Sequence, residues 1–323
     1  MGILHEWREK GYFFDLHWTK TFARTIPTLL WLAIRHPLLV INANKGCKDG
    51  PLNLRPQNLP YTIPKFSKDM KYCDSNKRYL RPTILCNPLE PEIIAMANKL
   101  GAFQKSDIEY AKAVFKFVNM QVRIDFSPPK SARECLRRGH GTCIDKLNLF
   151  LALCRVAGIK GRYRLYSFQG VEELYNIYVA ADPLVKKWVD ALNFFVLHGS
   201  GEVFVDGKWQ ICDVSADFYH APPQKIPIPH FGEDPADLWI KPAHGVWKPE
   251  GLPIGFKFFM SLPFYLFRGT GRAINKNIRG NYLKGKQMLE HMNLDEYDKK
   301  IRETYTPRWH DSARKASRVL DRL

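Results

Sequence analysis

The chain has 323 residues, 45% hydrophobic and 25% charged, which is the balance of a folded protein with a sizeable core and excludes a disordered or collagen-like chain. Its 49 Lys and Arg against 32 Asp and Glu leave a formal net charge of +17, which points to an acidic partner such as an anionic membrane surface or an acidic polymer. Seven cysteines without a CxxC pair argue against a zinc ribbon or a disulfide framework, and charges are scattered where a signal peptide would be apolar. A cytoplasmic protein is expected, either free or peripheral to a membrane. No nucleic-acid motif accompanies the basic charge, so no specific nucleic-acid partner is expected.

Residues 1–41 read as helical, and Thr25 to Ile41 is their most apolar part. This run is too short for a comfortable span and is broken by Arg35, His36 and Pro37. Its pattern favours a buried core helix followed by a turn, with a membrane-surface helix carrying Trp7, Trp18 and Trp31 as the alternative. Residues 42–90 are rich in proline and lack period, which predicts a segment wrapped over the core or partly mobile. Cys47, Cys73 and Cys86 lie there at spacings that match no familiar metal-ligand pattern.

Helical period returns at Pro91, where Ile93, Ile94, Ala97 and Leu100 share a face. A second helix follows, capped by Ser106 or Asp107. Gln121 to Phe126 alternates like a short strand, and Ala132 to Arg138 is a short helix. A Gly139-His140-Gly141-Thr142 run then leads into Cys143 and a third helix. Leu147, Phe150, Leu151, Cys154 and Ala157 give that helix one apolar face, and Gly158 ends it. Ile159 to Ser167 reads as a strand, and Gly170 to Leu192 as an insertion of mixed character. His198 stands just before a predicted strand over Glu202–Val205. Asp206-Gly207 signals a hairpin turn, Lys208 to Cys212 is the return strand, and Asp213 lies at its end. Leu252 to Phe267 is a second apolar run flanked by basic residues, again read as buried with a membrane-surface helix as the alternative. From Asn281 the tail predicts one or two charged helices.

A cysteine opening a helix sees the positive end of the helix dipole and free N–H groups, both of which favour the nucleophilic thiolate. His198 can take its proton, and Asp213, fifteen positions on, can orient the imidazole across an antiparallel ladder. Cys135, Cys154 and Cys212 follow no small-residue loop that opens a helix, and read as structural thiols.

The run GTCIDKLNLFLALCRVAGIKGRYR, followed by His198 and by VDGKWQICD ending at Asp213, resembles the transglutaminase-like family, a branch of the papain-type cysteine enzymes. The Gly-x-Cys helix start, Arg155-Val156-Ala157-Gly158-Ile159 and Gly207-Lys208-Trp209 carry the resemblance over roughly residues 108–215. It implies an α+β fold in which a helix bearing the nucleophilic cysteine packs on an antiparallel sheet bearing His and Asp. The implied organisation is an N-terminal helical and irregular extension over 1–90, a catalytic core over 91–217, and a proline-rich linker with C-terminal helices over 218–323. The implied activity is hydrolysis of an amide, peptide or isopeptide bond of a protein or peptide substrate through a thioester, with no cofactor. Transamidation of protein glutamine by the same triad is one alternative, and a catalytically inactive scaffold or membrane-peripheral binding module is another. The family also implies a side-chain oxyanion donor upstream of the cysteine, for which Gln121 and Asn119 are candidates. His140 is placed either at the site entrance or in solvent. Many relatives follow the histidine with a small and an aromatic residue that shield the site. The Gly199-Ser200-Gly201 run predicts a more open site or a more mobile histidine loop here.

Overall fold

The computed structural model describes residues 3–13, 16–45 and 59–310. Cys47 lies outside them, as does the end of the C-terminal tail. Three helices open the chain: α1 (Ile3–Glu9), α2 (Leu16–Arg35) and α3 (Pro37–Asn44). Residues 59–90 follow without regular structure and are wrapped over the core. The Tyr61 hydroxyl donates to the Leu136 carbonyl, and the Cys73 N–H donates to that of Val156.

The central layer begins with α4 (Pro91–Lys99) and α5 (Asp107–Gln121), the latter started by a Ser106/Glu109 capping box. Strand β1 (Arg123–Ile124), helix α6 (Ala132–Arg138) and strand β2 (His140–Gly141) lead to helix α7 (Cys143–Val156). Strands β1 and β2 pair in parallel. Helix α7 is buried on every side from Ile144 onward, and its ends are fixed in different ways. At the start, Thr142 and Asp145 form a capping box. At the far end Gly158 takes a positive φ, and the N–H groups of Gly158 and Ile159 return to the carbonyls of Arg155 and Cys154, which is a Schellman closure.

The sheet follows, in the order β5-β4-β3-β6 and antiparallel throughout. Its strands are β3 (Gly161–Gly170), β4 (Phe195–Val205), β5 (Lys208–Cys212) and β6 (Ile240–Pro242). The insertion between β3 and β4 is helical, a π-turn over Tyr175–Val179 followed by α8 (Pro183–Leu192). Beyond the sheet come α9 (Phe256–Leu266), α10 (Arg268–Met288) and α11 (Leu294–Thr304). No helix among the described residues is long and apolar enough to cross a membrane.

Both apolar runs differ from the buried helices expected of them. In α2 and α3, Ile26, Leu30, Trp31, Ile34, Leu38 and Ile41 are exposed, and only the opposite side of α2, with Trp18, Leu29 and Leu32, is buried. In α9 only Phe256 is buried. Apolar composition alone does not say which face of a helix meets the core, and here apolar residues occupy both faces.

Candidate functional site

Helix α7 crosses strands β3 and β4, and two glycines on β4 set how closely. A Cβ on Gly201 would lie 2.6 Å from Leu147 Cδ1, and one on Gly199 would lie 2.3 Å from Ile144 Cδ1. Only residues without a side chain allow this approach, which brings the start of α7 down beside His198. The Gly199-Ser200-Gly201 run is therefore neither a loop nor an opening of the site. It is buried inside β4, which begins at Phe195 and so contains His198 rather than following it. The aromatic shield comes from the neighbouring strand. Tyr166 and Phe168 of β3 set their rings 5.3 and 5.5 Å from the imidazole, which is 3% exposed.

His198 Nε2 and Asp213 Oδ2 are 3.0 Å apart. The ladder pairs Gly201 with Cys212, so Asp213 is a diagonal neighbour of His198 just past the end of β5. Its other oxygen, Oδ1, accepts the Ser215 N–H at 2.8 Å, which fixes the carboxylate. Burial disfavours charge on both groups. The attraction between them, with a further contribution from the Cys143 thiol, outweighs it. The histidine pKa is raised to about 9 and the Asp213 pKa is lowered. With Nε2 engaged by Asp213, Nδ1 is the nitrogen left for the thiol.

Cys143 is half-buried at the first position of α7, where backbone N–H groups have no acceptor within the helix. Cys86, Cys135, Cys154 and Cys212 are fully buried, and desolvation pushes their thiol pKa values up. They are poor nucleophiles as they stand.

Beside Cys143 and His198 lies a cavity of about 100 Å³, lined by Ile124, Asp125, Phe126, Tyr178, Leu197 and Ser215 among others. Tyr178, from the π-turn, is a lining residue that sequence reading did not single out. Burial, and then the electrostatic influence of Asp217, Cys143 and Asp213, raises its pKa and keeps its hydroxyl a donor. Nothing in the segment marked it, because the π-turn that aims it has no compositional signature; such turns recur at functional sites.

The other sequence candidates lie elsewhere. Gln121, at the end of α5, and the fully buried Asn119 do not line this cavity. His140 is neither in solvent nor at an entrance. It is 4% exposed on β2, with Nδ1 against Asp125 Oδ2 at 2.5 Å, and it does not line the cavity. Its carboxylate partner belongs to a buried ionic layer under the start of α7. Lys130 Nζ lies 3.7 Å from both Asp125 and Asp145, and Lys146 Nζ lies 2.7 Å from Asp217. Asp217 also accepts the Ile124 N–H at 3.1 Å, tying β1 to α7. These pairs position the cavity wall through the backbone. Among the described residues, no group of three or more His, Cys, Asp or Glu is arranged to hold a metal ion.

Residues 94–214 match the model of the transglutaminase-like superfamily. Among solved structures, the chain is similar to one from Cytophaga hutchinsonii that is provisionally named a cysteine protease. Sequence identity is 20% and the TM-score 0.30, over 42% of this chain and 40% of that one. No curated protein matches the sequence.

Proposed function

This chain belongs, through residues 94–214, to the transglutaminase-like superfamily, and on that premise we propose that it is a cysteine-dependent hydrolase of an amide-type bond. The observation that carries the reading is the His198–Asp213 pair at 3.0 Å, in one cavity with a thiol at a helix start that interacts with the imidazole. The Cys143 thiolate attacks the carbonyl carbon. The developing oxyanion is met by the Cys143 N–H and, on this reading, by the Tyr178 hydroxyl. His198, protonated at neutral pH, gives its proton to the leaving nitrogen as the C–N bond breaks and a thioester forms. Water then attacks the thioester, His198 takes its proton, and the carboxylic acid leaves as the thiolate is restored. Asp213 keeps the imidazole oriented and its charged form favoured.

The test is labelling of the full chain with iodoacetamide at mildly acidic pH, read by mass spectrometry at each cysteine. Cys143 is expected to react fastest, and His198→Ala to remove its advantage. Equal rates at Cys143 and Cys73 would refute an activated nucleophile. The same acyl-enzyme would serve a transamidase, and incorporation of an added primary amine in excess of hydrolysis would assign that activity instead.

A further inference from the structure

A second chamber, of about 160 Å³, adjoins the His198 cavity and shares Phe126, Thr142, Cys143, Phe195 and Leu197 with it. Its walls include Phe22 and Ile26 of α2, Met260 and Phe264 of α9, and Trp188 of α8, and Cys143 also lines it. No charged side chain lines it among the described residues, and the hydroxyl-bearing residues that do are Thr25, Ser127, Thr142 and Thr270. A peptide backbone entering here would leave its N–H and C=O groups short of partners, whereas a hydrocarbon gives up nothing. A dry apolar cavity of roughly 150 Å³ holds a six-carbon ring, so about six carbons fit inside. Any longer chain continues outward past Ile26 and Phe259, which line the chamber and are also exposed.

The outer faces of the same two helices are apolar as well. Trp31 and Ile34 of α2 are 52% and 80% exposed, and Phe258 and Tyr265 of α9 are 68% and 54% exposed. A helix apolar on both faces needs an apolar phase on its second side. Along these two stretches of chain the charge has one sign, and the acidic neighbour at α9 is Glu134, 3.3 Å from Lys257. Residues 16–45 hold four Lys or Arg and residues 252–289 hold seven, with no Asp or Glu in either stretch, so most of the chain's +17 lies there. Arg24, Arg35, Lys276 and Arg279 occupy exposed positions among them. Aromatic and aliphatic side chains bordered by cations complement an anionic lipid surface.

We propose that the α2–α9 face seats on an anionic membrane and that the chamber is a hydrocarbon subsite, so that the carbonyl substrate of Cys143 carries a long alkyl or acyl chain. This rests on Cys143 being the nucleophile, and the test separates the two ideas. The full chain is treated with N-methyl, N-hexyl and N-dodecyl iodoacetamide, and the rate constant at Cys143 is measured against that at Cys73. Each buried methylene is worth about fourfold, so burial of even two of the five methylenes added from methyl to hexyl gives a gain of about tenfold or more. Met260→Trp, which fills the chamber, is expected to return that ratio towards one. In sedimentation, the chain is expected to associate with phosphatidylcholine vesicles that contain phosphatidylglycerol, more weakly at high salt and more weakly as the Trp31→Glu/Phe258→Glu variant. A methyl reagent that prefers Cys143 with a flat chain-length series overturns the subsite and leaves the nucleophile standing. A methyl reagent without preference for Cys143 overturns both. An iodoacetyl dipeptide that outpaces the dodecyl reagent assigns the chamber to a peptide side chain, and no vesicle association at any salt overturns the membrane seat.

Discussion

Gly201→Ala tests whether the approach of α7 to β4 sets the geometry between Cys143 and His198. The new methyl carbon would sit 2.6 Å from Leu147 Cδ1, about 0.9 Å inside ordinary carbon–carbon contact. Leu147 is fully buried and the added carbon would also touch Leu151 Cδ2 at 3.5 Å, so the Leu147 side chain has little room to turn aside and helix and strand are expected to move apart. Overpacking of this kind costs about 1–3 kcal/mol. For a chain of this size it lowers the melting temperature by roughly 2–4 °C per kcal/mol. The effect on the site is separable. Moving a charge pair from about 4 to about 5 Å at an effective dielectric near 20 weakens it by about 0.8 kcal/mol, or about fourfold in a rate that depends on the pair. Iodoacetamide labelling of Cys143 should slow by about that factor well below the melting temperature. Leu147→Val, which removes one methylene, should restore part of both losses in the double variant, giving a coupling that two independent effects would not show. Labelling unchanged in Gly201→Ala, or additive losses in the double variant, would show that the glycine does not set the separation.

The pH dependence of stability has a defined sign. The His198 pKa is raised from 6.5 to about 9, so its charged form stabilises the fold fully below pH 6.5, and that contribution is lost as pH rises through about 9. Melting temperatures of the wild type should fall across this window and those of His198→Gln should fall less; parallel curves would count against the ion pair. Hydrolysis should decline above about pH 9, as the imidazole loses the proton that the leaving nitrogen needs. Arg155→Met should cost about 3–5 kcal/mol in urea denaturation, because it strands buried carbonyls that a buried guanidinium now satisfies. A loss under about 1 kcal/mol would mean that the clasp is dispensable.

The elements around the cysteine could be read from sequence because each rests on local chemistry. Ser106, Ser131 and Thr142 each precede an acidic residue at the third position and cap a helix, and Gly158 takes the positive φ that closes α7. The proximity of His198 to Asp213 could be read from the hairpin, whose short turn fixes which residues are neighbours. Side chains placed by distant packing could not. Asp125 and His140 pair because β1 and β2 run in parallel, and that pairing depends on the whole of α6 between them. Tyr178 depends on a local slip from α to π spacing. The Gly199-Ser200-Gly201 run was misread as an opening because glycine is as common where a helix approaches a strand as in a loop. Hydropathy found both apolar runs but could not separate a helix packed on a core from one that walls a chamber and also faces outward.

The Arg155 clasp bears on what can be cut from this chain. Its guanidinium donates to the carbonyls of Arg81, Gly161 and Glu250 and to the Thr83 hydroxyl, and three of those four partners lie outside residues 94–214. Glu250 in turn holds the Arg81 side chain and the Tyr79 N–H. Excising the superfamily match would leave a fixed positive charge in the interior with most of its partners removed. A piece that keeps every hydrogen-bond partner of Arg155 runs from about Tyr79 to beyond Glu250, so segments on both sides of the match are held to the helix that carries the cysteine.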